Sequence, residues 1–254
     1  MPGSLVLRGW LDPAVVALAL FAMASGFGQY GAVSSLGDVA RTFGHAGHGT
    51  SFADQAGLSG TELGVGLAVI RLASLGGLPL AGIADRYGRR RMLLVTTVVG
   101  LALTMVAAAS PGFWWFVVIF ALGRPALSAT NGLAQVGAAE ETGTADRAKA
   151  IGLVAAGYAA GSGITAVLNG LAGKALTFRG VFALAGVALV GVVLLRHRLQ
   201  ESERFAMATR RGAEEAVPVF GAVARPFRRR LLVVAALAFS VSVVTGPANG
   251  FVFL

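Results

Sequence analysis

Apolar and polar positions alternate along this chain in long blocks, with runs of about 20 apolar residues separated by short charged segments. The hydrocarbon core of a bilayer is about 30 Å thick, so a helix needs about 20 mostly apolar residues to cross it. Seven segments meet this requirement and are predicted as spans 1 to 7, at residues 13–36, 62–84, 92–109, 113–138, 150–171, 181–195 and 231–254.

Composition supports the same conclusion. The chain is 56% hydrophobic and 13% charged, with a mean hydropathy of +0.74, whereas a soluble domain carries about 25% charged residues. The predicted partner is therefore a lipid bilayer. Nucleic acid is not, because the net charge of +9 comes mostly from arginines between the spans rather than from a basic face on a soluble body. The absence of cysteine excludes thiolate metal sites, and no metal site or cofactor is predicted.

The positive charges predict the orientation in the membrane, since cytoplasmic segments are enriched in lysine and arginine. With a cytoplasmic N-terminus, the inside segments hold sixteen of the 21 Lys and Arg residues and the outside segments hold three. The remaining two, Arg71 and Arg124, lie within spans. We therefore expect an integral protein of a plasma membrane, the inner membrane in a bacterium, with its N-terminus in the cytoplasm.

Three regions are predicted along the chain. Residues 1–197 form a bundle of six spans, residues 198–230 a charged cytoplasmic linker, and residues 231–254 the seventh span. Because the chain stops within an apolar run, we expect a truncated seventh span and a missing C-terminal half. The alternative is a seven-span protein in which residues 198–230 are simply a long loop.

Polar residues are distributed unevenly among the spans. Span 3 contains only threonines as polar residues and span 6 contains none, which predicts that both pack on the outside against lipid. Spans 4 and 5 each carry a polar stripe along one helical face, and span 1 carries a shorter polar group. The residues are Arg124, Ser128, Asn131 and Gln135 on span 4, Tyr158, Ser162, Thr165 and Asn169 on span 5, and Ser25, Gln29 and Tyr30 on span 1.

Such a stripe can line a water-filled cavity or form hydrogen bonds between packed helices. For span 5 both interpretations stay open, because Gly157 and Gly161 also indicate close packing. For span 4 a cavity is favoured, because its stripe includes the charge of Arg124. Spans 1 and 4 are therefore expected to line a central cavity.

Arg71 and Arg124 both lie near the middle of their spans. Arg71 precedes Asp85 by 14 residues, or about 21 Å of helix. A charge at this depth costs about 2.5 kcal/mol or more and is usually functional. The acids at Asp12, Glu62, Asp85 and Glu140 all lie at span ends. An anionic substrate, or an acid of the missing half, is the expected partner.

Residues 81–91, between spans 2 and 3, read AGIADRYGRRR. They resemble the signature loop of the major facilitator superfamily, with matches at Asp85, Arg86, Gly88, Arg89 and Arg90. The family's first glycine falls at Ala81, with a glycine one position later. The resemblance implies a cytoplasmic gate in which Gly88 allows a tight turn and the arginines bridge to acids of neighbouring loops.

Two further patterns resemble the sugar-porter and metabolite-symporter branches of that superfamily. Glu140 and Arg147 are separated by six intervening residues in the predicted loop after span 4, and Glu201 and Arg204 follow span 6 in a segment that matches only in part. The resemblance assigns these four residues to a salt-bridge network at the gate. Span 1 lacks the proton-coupling acid that many sugar porters carry.

The predicted fold is an all-α polytopic membrane protein: the six-helix N-terminal bundle of a major facilitator fold plus the start of helix seven. The resemblance implies a secondary active transporter of a small polar metabolite, an organic acid or a sugar, that works by alternating access. It allows a coupling proton and predicts no enzyme. Arg124, Ser128, Asn131, Gln135, Gln29, Tyr30 and Arg71 are the predicted cavity residues. The alternative function is a seven-helix membrane sensor or receptor without transport.

Overall fold

The computed structural model describes residues 9–45, 57–172, 177–197 and 225–251. Within these residues, six helical segments are long and apolar enough to cross a membrane. They correspond to predicted spans 1 to 6 and comprise span 1, Pro13–Ser34; span 2, Gly60–Ala84; span 3, Arg89–Ala108; span 4, Phe113–Glu141; span 5, Arg147–Gly170; and span 6, Phe178–Leu195. The helix Arg225–Phe251 covers most of predicted span 7, and the prediction of an all-α membrane protein is confirmed.

The helix ends show why the spans begin where they do. Asp12 caps span 1 by accepting a hydrogen bond from the Ala14 amide at 2.9 Å, and Pro13 occupies the first helical position. Span 2 begins with a reciprocal capping box between Ser59 and Glu62. Gly88 separates span 2 from span 3 with a φ of 97°, a conformation that glycine adopts without strain.

Several helices extend beyond their predicted ends. Span 3 begins at Arg89, span 5 begins at Arg147, and span 4 continues to Glu141. Glu140 therefore lies in the last turn of a helix and Arg147 in the first turn of the next, not in a loop as predicted. The apolar pattern marks the part of a helix that crosses the hydrocarbon, whereas alanine, glutamate and arginine continue the helix beyond it.

Two elements have no counterpart in the prediction. Span 2 is interrupted by a 3₁₀ turn at Ser74–Gly76, and a short helix, Leu36–Phe43, follows span 1. The 3₁₀ turn lies against Pro125 of span 4, since a Cβ atom at Gly76 would be 3.2 Å from the proline ring. The bend in span 2 is therefore fitted to the proline-containing turn of span 4.

Span 1 occupies the centre of the bundle. In an apolar 18-residue stretch of span 1, 78% of the residues are buried, compared with 50% for span 4 and 39% for span 3. Span 1 packs mainly against spans 5 and 4, and span 3 packs against spans 4 and 6. Spans 3 and 6 are less buried than spans 1 and 4, but spans 2 and 5 are less buried still, at 17% each, so burial alone does not identify spans 3 and 6 as the outer helices. That spans 1 and 4 line a central cavity stays a prediction.

The threonines of span 3 correct one detail of that prediction. Thr96, Thr97 and Thr104 are all buried, and the hydroxyls of Thr96 and Thr97 lie 3.0 and 3.2 Å from that of Thr130 on span 4. Each also donates to a backbone carbonyl of its own helix, which allows it to be buried at low cost. The exposed face of span 3 is instead aliphatic, with Val95, Val99 and Val106.

Candidate functional site

A buried polar contact joins spans 1 and 4 at mid-depth. The Ser25 hydroxyl donates to the Leu127 carbonyl at 2.8 Å, and Gln29 Nε2 donates to Ser25 Oγ at 2.8 Å and to the same carbonyl at 3.1 Å. Gln29 is only 5% exposed. In this structure its side chain connects two helices and does not face an open cavity.

Arg124 lies beside this contact and connects three spans. Its Nε donates to Ser74 Oγ of span 2 at 3.0 Å, and its Nη1 donates to the Gln29 carbonyl of span 1 at 2.7 Å. The side chain is half-buried. Charge-assisted hydrogen bonds of this length are the stronger class, so Arg124 is held firmly in place.

Arginine and tyrosine side chains from neighbouring spans surround Arg124. Arg71 of span 2 and Tyr158 of span 5 lie within electrostatic range of Arg124, and both also act on Tyr30 of span 1. No acid occurs in the sequence between residues 86 and 139 or between 147 and 200. Arg71 and Tyr158 thus act electrostatically on both Arg124 and Tyr30, and the two guanidinium groups give this region a positive charge.

The rest of the span 4 stripe continues from Arg124 toward the end of the bundle that holds residues 85–91, here called the motif end. Ser128, Asn131 and Gln135 are each half-buried, and Gln135 Nε2 lies 3.4 Å from Asn131 Oδ1. Ser128 lies against Gly77 of span 2, where an added Cβ would be 2.8 Å from that of the serine. The stripe thus forms one partly accessible face, as the spacing predicted, and its role in a cavity stays a prediction.

The polar stripe of span 5 is mainly a packing surface. Thr165 Oγ1 donates to the Phe27 carbonyl at 3.1 Å, and Asn169 Nδ2 donates to Ser34 Oγ at 2.8 Å. Added Cβ atoms at Gly157 and Gly161 would lie 2.3 and 1.9 Å from carbonyl oxygens of span 1. Of the two interpretations left open by the sequence, close interhelical packing holds for this stripe, apart from Tyr158.

At the motif end, the arginines connect neighbouring helices. Arg89 forms an ion pair with Glu140 in the last turn of span 4. Arg90 Nη2 donates to the Arg196 carbonyl at the end of span 6 at 3.1 Å. Three spans are thus connected at this end by one arginine–acid pair and one bond to a backbone carbonyl, and the gating role of these residues stays a prediction.

The structure describes the other predicted gate residues only in part. Arg86 is exposed, and Arg147 begins span 5 with a buried Nε that has no hydrogen-bond partner among the described residues. Asp85 lies just beyond span 2, in the last turns of the helix Gly77–Tyr87 that continues it, but its side chain is outside what the structure describes. Glu201 and Arg204 lie outside the described residues altogether.

The opposite end of the bundle holds a cluster of packed aromatic side chains that the sequence pattern did not predict. The Arg179 guanidinium lies 5.6 Å from the Phe43 ring centroid and 5.3 Å from that of Phe178, and it donates to the carbonyls of Ala108 and Ser110. Further rings stack around them, among them Phe116, Phe120 and Phe182. The four-residue spacing of 116 with 120 and of 178 with 182 was the available signal.

A cavity of about 460 Å³ lies between spans 1, 5 and 6, away from the polar group. Its lining is apolar and includes Leu20, Phe27, Ile164, Val187 and Leu195. A site for a polar molecule needs a few convergent polar groups. The group around Arg124 meets this requirement and this cavity does not.

Comparisons with known proteins agree with the architecture. A family model described as Major Facilitator Superfamily matches residues 15–254. A curated Haemophilus influenzae protein, described as a presumed metabolite transport protein, is 29% identical over 133 residues, which are 52% of this chain and 33% of that protein.

Among solved structures, the inward-open xylose transporter XylE from E. coli superimposes with a TM-score of 0.58 at 17% sequence identity. The match covers 92% of this chain and 55% of XylE. At this identity the likeness shows a shared fold. The chain therefore spans about half the length of this structural relative and matches about one third of the curated one.

Proposed function

This chain belongs to the major facilitator superfamily, and from that premise we propose that it forms the N-terminal half of a secondary active transporter. In this proposal residues 1–197 are the first bundle, residues 198–230 a cytoplasmic linker, and residues 231–254 the start of the second half. The N-terminus lies in the cytoplasm, and a bacterial host would carry the protein in its inner membrane. Transporters of this kind bind substrate near the midplane between two halves and expose it to each side in turn.

The proposed substrate is a small carboxylated metabolite. The observation that carries this choice is the position of Arg124, held at mid-span by Ser74 and by the Gln29 carbonyl. Those two bonds use Nε and Nη1, and the hydrogen bonds of the described residues leave Nη2 for a ligand. A planar guanidinium suits a carboxylate, which can accept hydrogen bonds along its edge.

Tyr30, Arg71, Ser128, Asn131 and Gln135 complete the proposed site. Arg71 adds a second positive charge within range of the same group. The half-buried polar stripe of span 4 supplies donors and acceptors for the rest of a polar substrate. Gln29 contributes through its backbone carbonyl, because its side-chain amide is already bonded within the bundle.

A neutral sugar is the competing substrate class, and the two make different demands on this site. A sugar would be held by hydrogen bonds without drawing on the positive charge of Arg124. An organic acid would form charge-assisted hydrogen bonds to that guanidinium. Because no carboxylate lies in the middle of spans 1 to 6, a proton that couples transport would be carried by a group outside these positions.

The test is competition for uptake by the full-length protein in proteoliposomes. Unlabelled mono- and dicarboxylic acids and neutral sugars of similar size would each compete with a labelled carboxylated substrate. We expect the organic acids to compete and the sugars to have little effect. Competition by sugars but not by acids would show that the substrate is a sugar and that the proposed class is wrong.

A further inference from the structure

Ser74 stands at a place where the regular helix of span 2 gives way to a tighter turn. It is the first residue of the 3₁₀ segment Ser74–Gly76, one turn after Arg71. Its hydroxyl lies 3.5 Å from the Ile70 carbonyl, as a donor, and accepts the bond from Arg124 Nε at 3.0 Å. Because Arg124 Nε carries the donated hydrogen, the Ser74 oxygen accepts this bond with a lone pair.

The turn that presents Ser74 is itself positioned by span 4. Gly76 packs against the ring of Pro125, and an added Cβ at Gly77 would lie 3.0 Å from the Pro125 carbonyl. Pro125 follows Arg124 directly in the chain. The residue that supplies the guanidinium and the residue that shapes the turn are therefore neighbours, and the two contacts reinforce each other.

The second bond to Arg124 comes from a group that no substitution can remove, the backbone carbonyl of Gln29 at 2.7 Å. One anchor on Nη1 leaves the guanidinium free to rotate about that contact. A second anchor on Nε fixes the plane of the group, since the nitrogens of a guanidinium are coplanar. With both anchors in place, the direction of Nη2 is determined.

We propose that Ser74 is a positioning residue for anion binding, which fixes the plane of the Arg124 guanidinium so that Nη2 faces the substrate carboxylate. This inference rests on the proposed function. Ser74 does not touch the substrate and acts only through Arg124. The hydroxyl is the essential group, so threonine can replace serine and alanine cannot.

The experiment compares Ser74→Ala, Ser74→Thr and the matched control Ser162→Ala in the full-length protein. Ser162 is also half-buried and its hydroxyl bonds to backbone carbonyls, but it lies in the contact between spans 5 and 1. We expect Ser74→Ala to raise the KM for a carboxylated substrate about tenfold, because the ligand must then order a guanidinium that is no longer fixed in plane. The maximal rate per folded transporter should be kept, and Ser74→Thr and Ser162→Ala should retain the KM of the wild type.

A second readout does not depend on transport. In nitrogen NMR of this chain in detergent, the Nε–H signal of Arg124, identified by its loss in Arg124→Lys, should exchange slowly with water. Ser74→Ala should accelerate the exchange and Ser74→Thr should restore it. Slow exchange in Ser74→Ala, or an unchanged KM in that variant, overturns the inference.

The two proposals fail in different ways. If organic acids do not compete in the wild type, the proposed substrate class is wrong, and the Nε–H exchange still decides whether Ser74 fixes the guanidinium. If organic acids compete and Arg124→Lys loses transport while Ser74→Ala matches Ser162→Ala in both readouts, the proposed function stands. In that case the role of Ser74 is wrong.

Discussion

Arg89, the first residue of span 3, and Glu140, in the last turn of span 4, form an ion pair at the motif end. Their side chains are 23% and 19% exposed, so the pair is partly shielded from water. Removing one partner of a partly shielded pair costs more than breaking a surface pair, whose median value is about 0–1 kcal/mol. The pair connects span 3 to span 4, the span that carries the polar stripe.

We predict that Glu140→Gln slows transport several-fold and changes substrate affinity little, because the pair lies at the end of the bundle and the site near its middle. The charge-swapped variant, Arg89→Glu with Glu140→Arg, should recover part of the rate. Asp146→Asn is the control, since Asp146 and Lys149 form an exposed pair. The measurements are maximal uptake and KM, and a KM effect larger than the rate effect would contradict a gating role.

Arg124→Lys should reduce transport sharply. Lysine keeps the positive charge but cannot reproduce two bonds at fixed angles to Ser74 and Gln29 while leaving a third donor for the ligand. We expect a loss of at least about tenfold in kcat/KM for a carboxylated substrate, of the size that one charged hydrogen bond provides. Uptake at the wild-type rate by Arg124→Lys would leave Arg124 without a role in substrate binding.

Asp85→Asn should impair the conformational cycle more than substrate binding. Asp85 lies near the motif end of span 2, roughly 15 Å from the midplane, half the hydrocarbon thickness. At that distance it cannot touch a ligand at mid-depth. Equilibrium binding and accessibility of single cysteines at the two ends would separate the effects. Lost binding with an unaltered distribution of conformations would refute the prediction.

Gly88→Ala should destabilise the junction of spans 2 and 3. The φ of 97° and ψ of 127° at Gly88 are unfavourable for a residue with a Cβ atom, at a cost of about 1–3 kcal/mol. Gly152→Ala is the matched control, because nothing lies within 4 Å of an added Cβ there. Thermal unfolding in detergent should show a lower Tm for Gly88→Ala and an equal or higher Tm for Gly152→Ala. Equal Tm values for Gly88→Ala and the wild type would show that the turn tolerates alanine.

Gly161→Ala should force spans 1 and 5 apart. An added Cβ would lie 1.9 Å from the Met23 carbonyl oxygen, which is backbone and cannot move aside. Overpacking costs about 1–3 kcal/mol. Gly163→Ala, on the same helix with open space around its Cβ position, should cost little. The fraction of monodisperse protein after extraction compares the two variants, and equal fractions would argue against the close contact.

The sequence was sufficient to predict the spans because the bilayer selects for long apolar runs, a signal that needs no tertiary information. It was less informative about the ends of spans 3, 4 and 5, where arginine, glutamate and alanine extend the helices beyond the apolar region. It did not reveal the 3₁₀ turn at Ser74–Gly76. That bend depends on contact with Pro125, about 50 residues further along the chain.

In the candidate site, too, the sequence predicted what depends on local periodicity and not what depends on packing between helices. Spacing alone placed Arg124 and Ser128 on one face, because helical periodicity is a local property. It could not distinguish a cavity-facing polar side chain from one bonded to a neighbouring helix. Gln29 and Thr165 are both bonded to a neighbouring helix. Only the packing of span 1 against spans 4 and 5 shows this. The sequence did not single out Ser74, because an isolated serine in an apolar span forms no periodic polar pattern.

The glycine contacts between spans 1 and 5 have a mechanical consequence. At Gly26, Gly157 and Gly161 one backbone lies directly on the other, with no side chain between them to rotate or slide. Two rods in such contact cannot shear past each other without collision, and the hydrogen bonds of Thr165 and Asn169 hold their register. We therefore expect spans 1 and 5 to move as one rigid unit. Bending of the bundle is then expected away from this pair, at the interrupted helix of span 2.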